Sequence, residues 1–338
     1  MSDRRESASA GEHSLLGLWQ AREEFRMSDD EDMGPDEIVT EEMLWERIPE
    51  VTGIDRANTY YELSARIYAR GQYDEALALA ETARDLYAEA DGNTSNDGLA
   101  QAYSAIGYNL NQLKRINEAA DAMSKAVELL RESKSPLAID LACTLGDWWY
   151  GSKNYQKAIE CMQECVQEHL VEGDDSGAAN DLHLIGCSYR ELKEFTAALE
   201  AFREARILFK KLKEVINVAR CDLKIAFCLN AGGDGEGALH AAQKASDVFA
   251  TAHDHKREMF AQMELGKAYI NSGQLEEGYV TLNKLLASMT SDQLENHDFE
   301  FIVEIEEKMA EVLKLLGREE EAIEIERRLA SVKEVIED

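Results

Sequence analysis

The sequence predicts an all-α fold, an α-solenoid of seven stacked helix pairs behind an acidic N-terminal arm. Three observations predict it. Only 3 of the 338 residues are proline and none follows Pro136, so the long remainder lacks the residue that breaks helices. Apolar residues make up 45% of the chain, which is enough for a large core. A unit of about 40 residues recurs along residues 57–338, as in repeat architectures.

Residues 1–56 form the predicted arm. The first 50 residues hold 15 acidic and 5 basic side chains, and a block of like charge without apolar periodicity is typically solvated and disordered. Two short helices are expected within it. Their apolar faces are Leu15, Leu16, Leu18, Trp19 and Phe25 in the first, and Ile38, Met43, Leu44 and Ile48, ahead of Pro49, in the second.

The repeated units carry small residues at two fixed positions. The units begin at Ala57, Ala100, Ile139, Ala179, Ala219, Met259 and Val303. Position 8 is Ser64, Gly107, Gly146, Gly186, Ala226, Gly266 and Ala310, and position 20 is Ala76, Ala119, Ala158, Ala198, Ala238, Gly278 and Ala322. Two helices joined by a short turn pack closely only where neither carries a bulky side chain. Each unit is therefore predicted to be a helix pair, with turns marked by Gly71-Gln72, Lys153-Asn154, Gly232 to Gly235, Gly273 and Gly317.

One unit carries a family signature. Leu182-x2-Ile185-Gly186-x2-Tyr189, followed by Ala198-x3-Phe202, resembles the tetratricopeptide repeat, and the resemblance covers residues 57–338. The period of about 40 rather than about 34 residues, without the closing proline, resembles the long-helix variety of the family. The resemblance implies a right-handed superhelix whose first helices line a concave groove. The last repeat, with Glu319 and Glu326 in apolar places, is expected to be a polar cap.

The resemblance also implies which side chains form a peptide-binding groove. They are Tyr61, Tyr68, Tyr108, Asn111, Tyr150, Asn180, His183, Arg190, Arg220, Lys224, Phe227, Asn230, Lys267 and Asn271. Side-chain amides can pair with a peptide backbone in both directions, and aromatic rings give contact area at low entropy cost.

A basic segment stands out in a chain of net charge −31. Between Arg203 and Lys224 lie seven basic and three acidic residues, and Arg220 and Lys224 fall on a first helix. We expect these two, with Arg190 and Lys267 on neighbouring first helices, to form a pocket for a carboxylate of a peptide. The alternative is a solvated surface, since basic clusters often serve solubility alone.

Several chemistries are disfavoured by the sequence. The net charge argues against nucleic acid and anionic membranes as partners, and no segment reaches the roughly 20 apolar residues of a membrane span. The glycine-rich run Asn230 to Gly237 lacks the preceding strand of a phosphate loop, so it is predicted to be a turn. His253-Asp254-His255 is expected in a solvated loop, and Cys161 and Cys165 on a packed helix face. No cofactor, metal or catalytic constellation is predicted.

The predicted function is a non-enzymatic adaptor or scaffold that binds another protein's peptide or helix. Reduced cysteines within apolar helices and the absence of a secretory signal predict a cytoplasmic location. The alternative is a peptide-responsive regulatory receptor, resembling bacterial pheromone receptors, whose arm contacts an effector. A third hypothesis docks the arm, through Leu15 to Phe25, into its own groove. The sequence leaves a homo-oligomer open.

Overall fold

The structure is a computed structural model that describes residues 39–90, 93–289 and 299–337. These ranges contain fifteen helices and no strand, which confirms the all-α prediction. The first predicted arm helix, Leu15 to Phe25, lies outside the described residues. The chain divides into two compact units, one ending at Glu168 and one beginning at His169, and each is described by itself.

Seven helices begin within the first unit. They are α1 (Glu41–Arg47), α2 (Gly53–Ala69), α3 (Tyr73–Glu89), α4 (Asn93–Gln112), α5 (Ile116–Glu132), α6 (Leu137–Gly151) and α7 (Tyr155–Glu172), the last of which runs into the second unit. Each helix from α1 to α5 packs against the next, and α2 also contacts α4, so first helices of successive repeats are neighbours.

The second unit contains the remaining eight helices. They are α8 (Asp175–Glu191), α9 (Phe195–Lys211), α10 (Val215–Ala231), α11 (Gly235–Thr251), α12 (His255–Asn271), α13 (Leu275–Ser288), α14 (Phe299–Leu315) and α15 (Glu319–Glu337). Consecutive helices pack here as well, and the first helices α10, α12 and α14 contact one another in order. None of the described helices combines the length and apolar character needed to cross a membrane.

The small residues at positions 8 and 20 form the contact between the helices of a pair. All fourteen are buried. Ser64 Oγ at position 8 donates a hydrogen bond to the Ala76 carbonyl at position 20, at 2.7 Å. A Cβ on Gly107 would lie 3.2 Å from the Ala119 carbonyl oxygen, again joining positions 8 and 20. The periodic small residues therefore mark helix contacts, as predicted.

The turns between helices place one residue in the left-handed region. Glycine takes it at Gly71, Gly173, Gly233, Gly273 and Gly317, while Lys114, Lys134, Lys153, Lys193, Lys213 and His253 take it with φ between 55° and 64°. The run Asn230 to Gly237 is such a turn, with Asp234 capping α11 by accepting from the Gly237 amide. Gly235 also allows close approach, because a Cβ there would lie 2.4 Å from the Ser272 backbone nitrogen.

The short helix α1 belongs to the folded part of the chain. Its Leu44 and the following Ile48 are buried against Leu63, Ile67 and the start of α3. Glu41 also accepts two hydrogen bonds from Arg70, at 2.7 and 2.9 Å. The second predicted arm helix thus exists, although its Met43 is exposed rather than buried. The first repeat helix begins at Gly53, four residues before the predicted start of the repeats.

Candidate functional site

In the first unit, the predicted groove residues form an uncharged aromatic and amide surface. Tyr61, Tyr68, Asn111 and Tyr150 are all partly buried. Gln112 on α4 donates to the Tyr68 hydroxyl on α2 at 3.1 Å, so neighbouring first helices are joined across the surface. The rings of Tyr68 and Tyr150 each meet a tyrosine of the following helix edge to face, with centroids 5.3 and 5.6 Å apart.

Tyr108, also predicted in this groove, lies instead in the core of the first unit. It is 2% exposed, and its ring packs perpendicular to Trp148 with centroids 5.4 Å apart. Trp148 lies in the next repeat, so this ring contact packs one repeat against another. Because the indole covers the phenol ring, Tyr108 offers no surface to a ligand.

In the second unit, one face of α10 carries two cations and an aromatic ring. Arg220, Lys224 and Phe227 follow one another at helical spacing, and all three are partly buried. The Phe227 ring lies between the neighbouring first helices. The Arg190 guanidinium of α8 is 5.7 Å from its centroid and the Lys267 ammonium of α12 is 5.9 Å away, both within the range of cation–π attraction.

A polar network continues from this face across α12 to α14. Asn230 donates to both the backbone carbonyl and Oε2 of Glu264, at 2.8 Å each. Lys267 Nζ lies 2.9 Å from Glu264 Oε1 and 2.6 Å from Glu304 Oε1. Asn271 donates to Asn230 at 3.1 and 3.2 Å, so the amide protons of both asparagines serve contacts between helices.

The charge state of Lys267 follows from this network. Burial alone lowers the pKa of a lysine, but the carboxylates of Glu264 and Glu304, with their hydrogen bonds, outweigh it and raise the Lys267 pKa above its usual value. Lys267 therefore stays charged beside the Phe227 ring.

The basic segment divides between structural and surface roles. Arg206 pairs at 2.7 Å with Asp222, a buried residue, and Lys211 pairs at 2.5 Å with Asp175. Arg220 donates to the Asn217 side chain at 3.1 Å. Arg220 and Lys224 thus share the α10 face with Phe227, while other members of the segment tie helices together.

Two remaining predicted residues lie on α8. Asn180 is exposed, whereas His183 packs its ring on Phe202 at 5.3 Å, with Nδ1 at 3.8 Å from Cys221 Sγ. Burial raises the pKa of the Cys221 thiol to about 12, so it is not a nucleophile at neutral pH. These contacts place His183 at the border of the core.

The other motifs weighed in the sequence have structural explanations. Asp254 accepts from the Arg257 amide at the start of α12 and pairs with its guanidinium at 2.5 Å, while both flanking histidines are exposed. Cys165 is wholly buried, and Cys161 contacts the Ala142 carbonyl at 3.2 Å.

Sequence reasoning missed three residues that contact side chains on or beside the α10 face. Glu264 and Glu304 lie at helical spacing from groove positions but resemble ordinary acidic residues in a chain with 67 of them. Phe195, at the start of α9, approaches Phe227 with centroids 6.2 Å apart. A periodic signal did exist for Phe195, because Tyr73 and Tyr155 occupy the same position of their repeats and also pair with groove rings.

Comparison with known proteins supports the same fold. Residues 100–130 and 182–205 match the family model described as tetratricopeptide repeat. No curated protein matches the chain.

Among solved structures, the chain is similar to a signal-transduction ATPase with numerous domains and a tetratricopeptide repeat sensor, from Pyrococcus horikoshii. The TM-score is 0.60 at 16% identity over 88% of this chain, which spans only 45% of that protein. It is similar to the C-terminal part of a repeat protein from Cytophaga hutchinsonii, with TM-score 0.55 and 15% identity over 75% of this chain and 92% of the other. It is also similar to the apo form of RapI, with TM-score 0.51 and 14% identity over 83% and 98%. At these identities the likeness concerns the fold.

Proposed function

The chain is a tetratricopeptide-repeat protein, and from that premise we propose that it is a non-enzymatic adaptor or scaffold that binds another protein. The ligand is an extended peptide or a helix bearing a carboxylate, and it docks on the face of α10. The observation that carries the proposal is the stripe of Arg220, Lys224 and Phe227, flanked by Arg190 and Lys267 on the neighbouring first helices.

The chemistry of this face suits an acidic segment with apolar neighbours. Guanidinium and ammonium groups donate charge-assisted hydrogen bonds to carboxylates, and the Phe227 ring gives apolar contact area beside them. In a chain of net charge −31 the surrounding field repels an acidic ligand, so attraction depends on local cations. All six cysteines lie in the described part of the chain and are thiols rather than disulfides, which supports a cytoplasmic location for the adaptor.

Charge reversal on α10 tests the proposal. Arg220→Glu/Lys224→Glu bait and wild-type bait are used to capture partners from the native cell, and retained proteins are identified by mass spectrometry. We expect the captured amount of a set of partners to fall at least tenfold with the variant bait, because each charge reversal turns an attraction into a repulsion. Far-UV circular dichroism checks that both proteins are equally helical.

The matched control reverses two exposed lysines of the same basic segment, Lys210→Glu/Lys213→Glu. This control changes net charge by the same amount but leaves the α10 face intact. Partners captured equally by all three baits would contradict binding at Arg220 and Lys224. If both double variants lost the same partners, capture would depend on the net charge of the protein rather than on binding at Arg220 and Lys224.

The alternative is a regulatory receptor, in which a ligand changes the arrangement of the repeats and so controls an effector. It is supported by the Pyrococcus horikoshii protein, whose tetratricopeptide repeats form a sensor. The two functions differ in one observable. A receptor changes its small-angle scattering curve when a captured peptide binds, whereas an adaptor with a preformed groove keeps it.

A further inference from the structure

Lys267 contacts two carboxylates of unlike character. Glu264 is 7% exposed at its side chain, and its two carboxylate oxygens are engaged by Lys267 and Asn230. Glu304, one repeat further along the chain, is 49% exposed, and among the described residues its side chain contacts Lys267. The Glu264 carboxylate is therefore held in the core, whereas the Glu304 carboxylate is half exposed to solvent.

The exposed contact lies beside the face of α10. Lys267 Nζ is 5.9 Å from the Phe227 ring centroid, and the Arg190 guanidinium is 5.7 Å from the same centroid. A carboxylate on Lys267 therefore sits beside the cation that approaches the Phe227 ring, and the same ring is approached by the Arg190 guanidinium. In the free protein, the carboxylate that occupies this place is Glu304.

Building on the proposed function, we propose that Lys267 is the anchor for a ligand carboxylate and that Glu304 is its built-in competitor. The ligand displaces Glu304 from Lys267, while Glu264 and Asn230 keep the lysine in position. The site accepts an aspartate, a glutamate or a C-terminal carboxylate of a peptide whose neighbouring residue rests on Phe227.

The two carboxylates differ in how readily they are displaced. Removing a partner from a buried charge leaves that charge uncompensated, so Glu264 stays in place. An ion pair with an exposed partner is weak, because water solvates the released carboxylate. The competition by Glu304 should accordingly reduce the affinity for a ligand carboxylate by about two- to fivefold.

The test uses the full chain and two synthetic probes, the fluorescein-labelled peptides (Glu-Tyr-Gly)4 and (Gln-Tyr-Gly)4. Binding is followed by fluorescence anisotropy. We expect Glu304→Gln to tighten binding of the glutamate peptide about two- to fivefold and to leave the glutamine peptide unchanged. The control Glu300→Gln removes one exposed charge from the same helix and should leave both affinities at the wild-type value.

A second variant shows whether the gain acts through Lys267. Replacing Lys267 alone would leave the buried Glu264 carboxylate without its cation. Lys267→Gln is therefore combined with Glu264→Gln and Glu304→Gln, so that all three charges are replaced by neutral side chains that still form hydrogen bonds. In this triple variant, the tighter binding of the glutamate peptide that Glu304→Gln gives alone should be lost. An independent measurement is the rate at which N-hydroxysuccinimidyl acetate acylates Lys267, read by mass spectrometry. The rate should rise in Glu304→Gln and fall when the glutamate peptide is added.

The proposal is overturned if Glu304→Gln fails to tighten glutamate-peptide binding, if Glu300→Gln tightens it equally, or if the triple variant keeps the gain. An absence of binding to the glutamate peptide by wild type and Glu304→Gln alike would also overturn it. These outcomes are independent of the capture experiment with Arg220→Glu/Lys224→Glu, so failure of the Lys267 anchor is distinguishable from failure of the adaptor function.

Discussion

In five of the repeats, the size of the residue at position 8 is matched to that at position 24, and this match can be tested in one of them. Cβ atoms added to Gly146, Gly186 and Gly266 would meet the large side chains at position 24, which are Met162, Phe202 and Leu282. Where position 8 is Ser64 or Ala226, position 24 is Ala80 or Ala242. The perturbation is Gly186→Ala, made in the wild-type chain and in Phe202→Ala.

The geometry gives the magnitude. A Cβ on Gly186 would lie 2.7 Å from Cδ1 and Cε1 of Phe202, well inside the roughly 3.5–4.0 Å of a carbon contact. Phe202 is wholly buried, so relieving the overlap costs about 1–3 kcal/mol. Alanine favours the helix over glycine by about 1 kcal/mol, which leaves Gly186→Ala roughly 0–2 kcal/mol less stable than wild type.

In the Phe202→Ala background the overlap is gone and only the helix preference remains. Gly186→Ala should then stabilise by about 1 kcal/mol, although Phe202→Ala itself costs about 3–5 kcal/mol. The assay is urea denaturation followed by circular dichroism on the four members of the double-mutant cycle. The expected coupling is about 1–3 kcal/mol. Equal effects of Gly186→Ala in both backgrounds would refute the size-matching argument.

Two further predictions concern a buried carboxyl and a turn. Burial raises the pKa of Asp147 from 3.8 to about 6, so the folded state binds its proton more tightly, and this contribution to stability is present below about pH 4 and lost as pH rises through 6. Asp147→Asn should therefore raise the free energy of unfolding at pH 8 by about 1–2 kcal/mol. The full pKa shift corresponds to about 3 kcal/mol, and the value is smaller because the side chain is partly exposed. Near pH 4 the substitution should have no effect. A gain that does not vary with pH across urea titrations would contradict this. Lys193 has φ 62°, a region that costs residues with a Cβ about 1–2 kcal/mol. Lys193→Gly should raise the thermal midpoint, with a free-energy gain of about 0.5–1 kcal/mol, whereas Lys210→Gly inside α9 should lower it.

The repeat pattern was predictable because it rests on local rules. A small residue at position 8 and another at position 20 identify a helix contact without knowledge of the rest of the chain. Turns at Gly71, Lys153, Gly233, Gly273 and Gly317 were likewise predicted, and each has positive φ. Lys114 and Lys193 were not, since lysine has no preference for the left-handed region and only their place after a helix distinguishes them.

The sequence could predict which repeat positions contribute side chains to the candidate site, but not which of those side chains contact one another. Arg190, Phe227 and Lys267 come from three repeats, and their spacing along the chain does not say which side chains meet. The contact between Lys267 and Glu304 joins residues 37 apart and depends on the angle between α12 and α14. Tyr108 shows the converse error, because a groove position in the repeat became a core position once Trp148 packed over it.

The Lys267–Glu304 contact also ties α14 to α12. Apolar packing joins the same helices, with the Phe260 and Phe301 rings 4.9 Å apart, but Glu304 supplies the polar link on the exposed side. A ligand that binds Lys267 would remove that link, so that α14 would be held against α12 by its apolar contacts. Occupancy of the groove would then be reported at a distance, as faster amide hydrogen exchange along α14.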